Sequence, residues 1–195
     1  MATGAAEDLE LLERWRAGDK AAGEELFARH FDSLCSFFIT KCSDADELVQ
    51  RTLLACVRGR DQFRAQSSFR TYLFAIARNE LYQYLRRLQK DRDRFDVEVS
   101  SVADLITTPA TKLVKRREQQ RMIESLRRLP VEQQTLLELY YWQDLDVAAL
   151  AEVFELTPNA VRVRLHRARQ ELRERLVAAG DQESAAWLDA SPKST

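Results

Sequence analysis

Val147-Ala148-Ala149-Leu150-Ala151-Glu152-Val153-Phe154-Glu155-Leu156-Thr157-Pro158-Asn159-Ala160-Val161-Arg162-Val163-Arg164-Leu165-His166-Arg167 sets the architecture expected of this chain. Small and apolar residues over 147–154 predict a short buried helix, and Glu155-Leu156-Thr157 predicts a turn. Thr157 before Pro158 reads as an N-cap followed by proline at the first helical position, where its missing N–H costs nothing. The helix that follows, expected over 158–179, puts Val161, Leu165, Ala168, Leu172 and Leu176 on one side. Asn159, Val163, His166, Arg167 and Gln170 fall on the other, flanked by Arg162, Arg164 and Arg173. That is the layout of a helix-turn-helix whose second helix enters a major groove. Arginine binds phosphate or guanine, Asn and Gln read adenine edges, and a valine touches a thymine methyl.

Upstream, the same spacing logic predicts helices throughout. Scarce punctuation (5 Gly and 4 Pro in 195 residues) and a 45% apolar share fit a folded all-α protein rather than a turn-rich sheet. Helices are expected near 8–17, 20–41 with Asp19 as N-cap, 44–60 with the apolar stripe Ala45, Leu48, Val49, Thr52, Leu53, Cys56 and Val57, and from Ser67 or Ser68 through Leu88. Over 91–111 the periodicity fails and Ser, Thr and Pro accumulate, as in a linker. The expectation is two small helical domains, 8–90 and 112–179, joined by a flexible linker at 91–111. The tail 180–195 is expected to be disordered, although Trp187 and Leu188 stand in it.

Charge follows this division. The formal net charge of −1, from 30 basic and 31 acidic side chains, looks unfavourable for a polyanion partner. It is a cancellation between blocks: residues 51–88 hold 8 basic and 2 acidic side chains, and 157–175 hold 6 and 2. Segments 7–50 and 131–156 are acidic. Two separated basic surfaces are the electrostatic footprint of a nucleic-acid binder.

The first basic block centres on the fourth helix. Phe69, Tyr72, Leu73, Ile76, Ala77, Leu81, Tyr84, Leu85 and Leu88 form its core stripe. Arg70, Arg78, Asn79, Tyr82, Arg86 and Arg87 lie opposite. The loop before it offers Arg58, Arg60, Arg64, Gln66, Ser67 and Ser68, with Phe63 and Phe69 interleaved. Arginines alternating with rings suit single-stranded DNA, where bases stack and phosphates pair.

Other chemistry is poorly provided for. Cys35, Cys42 and Cys56 lie on apolar stripes and read as core thiols, with no disulfide framework and no metal site. Two histidines, no Gly-rich phosphate loop and no nucleophile motif leave an enzyme the weakest class, and no cofactor is expected. No apolar run is long enough to span a bilayer, and Met1–Asp8 lacks the pattern of a secretion signal. A cytoplasmic protein without membrane insertion is expected.

Three motifs are recognisable together. Asp44-Ala45-Asp46-Glu47-Leu48-Val49-Gln50, then Ser67-Ser68-Phe69-Arg70-Thr71-Tyr72-Leu73, then Ile76-Ala77-Arg78-Asn79 resembles the first domain of small extracytoplasmic-function (ECF) sigma factors of bacterial RNA polymerase. Leu129-Pro130 and Asn159–Arg169 resemble the second domain of that group. The resemblance spans about Leu9–Leu176. It implies docking on core RNA polymerase through Asp46, Leu48, Val49, Gln50 and Leu53. It implies recognition and melting of a minus-ten promoter element through Arg60, Arg64, Ser67, Ser68, Arg70, Arg78, Asn79, Tyr82 and Arg86. A minus-thirty-five element would be read through Thr157, Asn159, Arg162, Val163, Arg164, His166 and Arg167. Core RNA polymerase and promoter DNA, duplex and melted, are the implied partners, with an anti-sigma factor as a candidate third.

Several positions depart from the family pattern. Arg51 stands where an acidic residue is common, Tyr72 replaces a tryptophan, and Glu155 and Asn159 each replace a frequent glycine; with Glu155 the turn after residue 154 is expected to be less strained or differently shaped. A helix-turn-helix regulator that binds duplex operator DNA without joining a polymerase is the competing class. Its discriminant is association with core polymerase.

Overall fold

In the computed structural model the described residues are 2–64, 66–93 and 117–190, and they are helical with no strand among them. The first half comprises α1 (Ala2–Arg16), α2 (Lys20–Ile39), α3 (Ala45–Gly59) and α4 (Phe69–Asp93). The second comprises α5 (Arg117–Arg127), α6 (Val131–Tyr141), α7 (Val147–Phe154), α8 (Pro158–Ala178) and α9 (Gln182–Ala190). Of the expected linker, residues 91–93 complete α4 and the rest lies outside the described residues.

Local chemistry sets the helix starts. Asp19 caps α2 by accepting the Ala22 N–H at 3.2 Å, just after Gly18 reverses the chain at φ 104°. Gly23 lets α1 and α2 meet closely: a Cβ there would stand 2.6 Å from the Trp15 indole. Asp146 caps α7 through Ala149 N at 2.8 Å, and Thr157 caps α8 through Ala160 N at 3.2 Å, with Pro158 opening the helix.

Buried side chains from both halves form one continuous cluster. Leu12, Leu26, Leu34, Phe37, Phe38, Leu48, Leu73 and Phe74 anchor it in the first half; Leu129, Leu136, Leu150, Val161, Leu172 and Leu176 anchor it in the second. Each such leucine contributes about 1.5–3 kcal/mol. The cysteines behave as core thiols: all three are free, and burial pushes Cys42 and Cys56 up to about 12.

Two expectations need correction. The tail is not disordered over 182–190. It folds as α9, with Asp181 accepting the Ser184 N–H at 3.0 Å and with Ala185 and Leu188 buried. A helix this short forms only because α8 covers its apolar side. The turn before α8 is not relieved of strain either. Glu155 sits in the left-handed region at φ 55°, ψ 45°, the conformation a glycine would take at little cost. Relief of about 1–2 kcal/mol of steric strain, less the extra unfolded-state freedom of glycine, predicts that Glu155→Gly stabilises the fold by about 0.5–1 kcal/mol. Paired urea melts measure this, and a less stable variant would contradict the strain. Asn159, by contrast, occupies ordinary helix in α8.

Candidate nucleic-acid interface

The sorting of α8 follows the sequence closely. Val161, Leu165, Ala168, Leu172 and Leu176 are buried, whereas Asn159, Arg162, Val163, Arg164, His166 and Arg167 are exposed along the outer side. Thr157 is spent on the cap. Arg164 pairs with Glu132 at the start of α6, which fixes one edge of the row. What remains is a convex helix carrying cations, an amide and a half-exposed valine, the chemistry needed to meet phosphates and base edges.

On α4 the outcome differs. Arg70, Phe74, Arg78 and Tyr82 succeed one another at i, i+4 spacing, and this stripe turns toward the second half rather than to solvent. Arg70 donates from Nε to the Gln143 carbonyl at 2.9 Å and from Nη2 to Gln143 Oε1 at 2.8 Å. Arg78 donates from Nη1 to the Val153 carbonyl at 3.1 Å, its guanidinium 5.1 Å from the Phe154 ring centre and 4.9 Å from that of Tyr82. Burial pushes ionisation of Tyr82 upward, and burial likewise lowers the Arg70 pKa. Of the side chains expected on a DNA-facing surface, Arg70 is therefore partly covered by the turn between α6 and α7 and Arg78 by α7, while Tyr82 is half-buried beside Arg78.

The remaining minus-ten candidates are dispersed. Arg64, Asn79 and Arg86 are exposed. Ser68 Oγ accepts the Thr71 N–H at 3.0 Å and so acts at the start of α4, with half-buried Ser67 beside it. Arg60 pairs with Asp61 at 2.9 Å and donates to the Trp15 carbonyl. Phe63, expected among the basic residues of the loop, is instead core and stacks on Tyr72 with centroids 4.5 Å apart, while Phe69 is buried as its place on the core stripe of α4 implies.

The α3 surface also differs from expectation. Leu48 and Val49 are fully buried, so neither can reach a partner while the helix stays packed. Asp46 and Gln50 are exposed and Leu53 is half-buried. Leu54 and Val57, which are absent from the docking set implied by the resemblance, are the large apolar side chains exposed there, at 54% and 46%. They continue the Asp46–Gln50 row one and two turns onward. Arg51 turns inward and pairs with Glu80 of α4 at 2.8 Å.

No group of three or more His, Cys, Asp or Glu side chains among the described residues could hold a metal ion. His30 is buried against Asp8, its Nε2 2.7 Å from the carboxylate.

With this geometry in place, comparison with known proteins is informative. A Sigma-70 region 2 family model matches residues 26–92, and a Sigma-70 region 4 model matches residues 119–172. The chain is 30% identical over 168 residues to the ECF RNA polymerase sigma factor SigM of Mycobacterium tuberculosis (strain H37Rv), covering 85% of this chain and 82% of SigM. It is 26% identical over 181 residues to the ECF RNA polymerase sigma-E factor of Haemophilus influenzae, covering 87% and 95%. Among solved structures, the sigma factor RpoE bound to the anti-sigma factor NepR from Bartonella quintana superposes with a TM-score of 0.65 at 25% identity, over 78% of this chain and 95% of that one. CnrH, solved in complex with the cytosolic domain of CnrY, gives 0.68 at 23% identity over 88% and 98%, a likeness of fold.

Proposed function

The chain belongs to the ECF group of RNA polymerase sigma factors, and from that premise we propose how its surfaces divide the work. A sigma factor binds core RNA polymerase and directs it to promoter DNA. For this chain the chemistry of RNA synthesis is left to the polymerase, so it is itself no enzyme and needs no cofactor. It acts in the cytoplasm, where its polymerase and DNA are; no helix among the described residues is long and apolar enough to cross a membrane.

The observation that carries the DNA-reading half of the proposal is the sorting of α8, with apolar residues inward and Asn159, Arg162, Val163, Arg164, His166 and Arg167 outward. This row reads the upstream, minus-thirty-five element. The α4 residues Arg70, Arg78, Asn79, Tyr82 and Arg86, with Arg60, Arg64, Ser67 and Ser68 before them, hold the melted minus-ten strand. Polymerase docking falls on the exposed row of α3, comprising Asp46, Gln50, Leu53, Leu54 and Val57. An anti-sigma factor is proposed as a regulatory partner, as the solved complex of RpoE with NepR illustrates for that protein.

Run-off transcription with purified core polymerase tests the reading. The chain is expected to co-purify with core and to direct initiation at a promoter that core alone ignores. Failure of both would leave the operator-binding class. Asp46→Lys is expected to weaken core association at least tenfold while leaving helical content unchanged, because it sets a cation in an acidic, partly apolar row. Normal association would move the docking surface off α3.

A further inference from the structure

The cover over α4 has a definite construction, and its outer support lies beyond the segments matched by the family. Gln143 gives both its carbonyl and its side-chain oxygen to Arg70 and is only 5% exposed. It is held in a tight turn: the Trp142 and Gln143 N–H groups both reach the Glu138 carbonyl, and Leu145 N reaches the Leu139 carbonyl at 3.0 Å. The turn includes Asp144 at φ 57°, a left-handed conformation that costs a non-glycine residue free energy. Such a turn persists when something packs on it.

Against the end of α6 that leads into this turn lies α9. Ala185 and Leu188 seat this helix, and Trp187 then lies with its ring centre 5.3 Å from Tyr141 and 6.0 Å from Trp142. The chain of contacts runs from Trp187 to Trp142, through the adjoining peptide to Gln143, and from there to Arg70. On the inner side Lys41 pairs with Glu138, and Arg127 donates to the Thr40 carbonyl at 2.8 Å. Arg78 completes the row on Val153.

We propose that α9 is a built-in brace that holds the α6–α7 turn on α4 and thereby keeps the free sigma factor closed against single-stranded DNA. This rests on α4 being the strand-binding surface. Arg70 spends its Nε–Nη2 edge on Gln143 and Arg78 its Nη1 on Val153, and the α6–α7 turn and α7 occupy the space over these side chains that a strand would fill. The closed and strand-bound states are therefore mutually exclusive, and apparent affinity falls with the fraction of molecules that are open. Opening exposes α4 and separates α7–α8 from it, which places the two DNA surfaces of one chain on different promoter elements.

The test uses the full chain and its Trp187→Ala and Gln143→Ala variants. Gln143→Ala keeps α9 intact and covers the case in which Trp187→Ala disturbs local folding. X-ray scattering and amide exchange on α4 and α7 report opening. Anisotropy with a labelled mixed-sequence single strand of about 12 nucleotides reports binding. Both variants are expected to expand, to lose exchange protection on α7, and to bind the strand about tenfold more tightly if the closed form holds roughly nine molecules in ten. Unchanged dimensions and exchange in both variants overturn the brace. Expansion without tighter strand binding overturns the occlusion, and it also removes α4 as the strand-binding surface while leaving the interdomain contact as observed.

Discussion

Glu138→Leu is expected to cost the folded chain about 3–5 kcal/mol, because it strands a buried ammonium. Lys41 is fully buried at the end of α2, where its Nζ donates to the Phe37 carbonyl and to Thr40 Oγ1, and lies 4.0 Å from the Phe37 ring centre. Glu138 of α6 supplies the counter-charge across the boundary between the halves. Burial works against ionisation of both, pushing Lys41 down and Glu138 up, while their mutual attraction acts the other way. With the carboxylate gone, Lys41 must either shed its proton or pull the halves apart to reach water. Urea melts followed separately by helix content and by tryptophan fluorescence measure the cost, since a chain of two halves need not melt in one step. The double variant Lys41→Met/Glu138→Leu is expected to recover most of the loss, because a packed apolar pair avoids desolvating two charges. A single variant that loses less than about 1 kcal/mol would mean that the pair is solvated.

This pair also marks a limit of sequence reading. Local rules found the caps at Asp19 and Thr157, and periodicity sorted α8 correctly, because that helix has one buried side and one wet side. The same method misjudged α4. It divides a helix into a core face and a solvent face, and α4 has partners on both. Phe74, fully buried between Arg70 and Arg78, was the signal: an aromatic centred on a face otherwise read as solvated. Leu48 and Val49 were placed on a docking surface by resemblance, although their own spacing put them on the core stripe of α3. The helix α9 was illegible for another reason. Nine residues have little intrinsic helicity, and the worth of Trp187 and Leu188 depends on side chains far away in sequence. Glu155 was visible as a departure from glycine, but the sign of its backbone angle was not.

Arg167→Ala is expected to lower holoenzyme occupancy of its promoter by about fivefold to 150-fold, the equivalent of roughly 1–3 kcal/mol for one bidentate base contact. Arg167 stands one turn beyond Val163 on the outer row, away from buried Leu165 and Ala168. Truncation therefore removes a surface cation without opening a cavity, and the melting temperature should hold. Quantitative footprinting across promoter variants separates two roles. A base-reading arginine, once removed, relaxes discrimination at one base pair. A phosphate-binding arginine weakens every promoter alike and reduces the salt slope by about 1. Arg175→Ala is the internal control, since Arg175 pairs with Glu171 at 2.8 Å near the far end of the helix and is expected to leave occupancy unchanged. Equal occupancy for wild type and Arg167→Ala would exclude this part of α8 as the reader. The measurement belongs in the holoenzyme rather than the free chain. The acidic block 131–156 lies immediately before α8, and α6 and α7 pack against it. Their charge opposes that of α8, so the free chain is expected to hold duplex DNA weakly until polymerase contributes its own contacts.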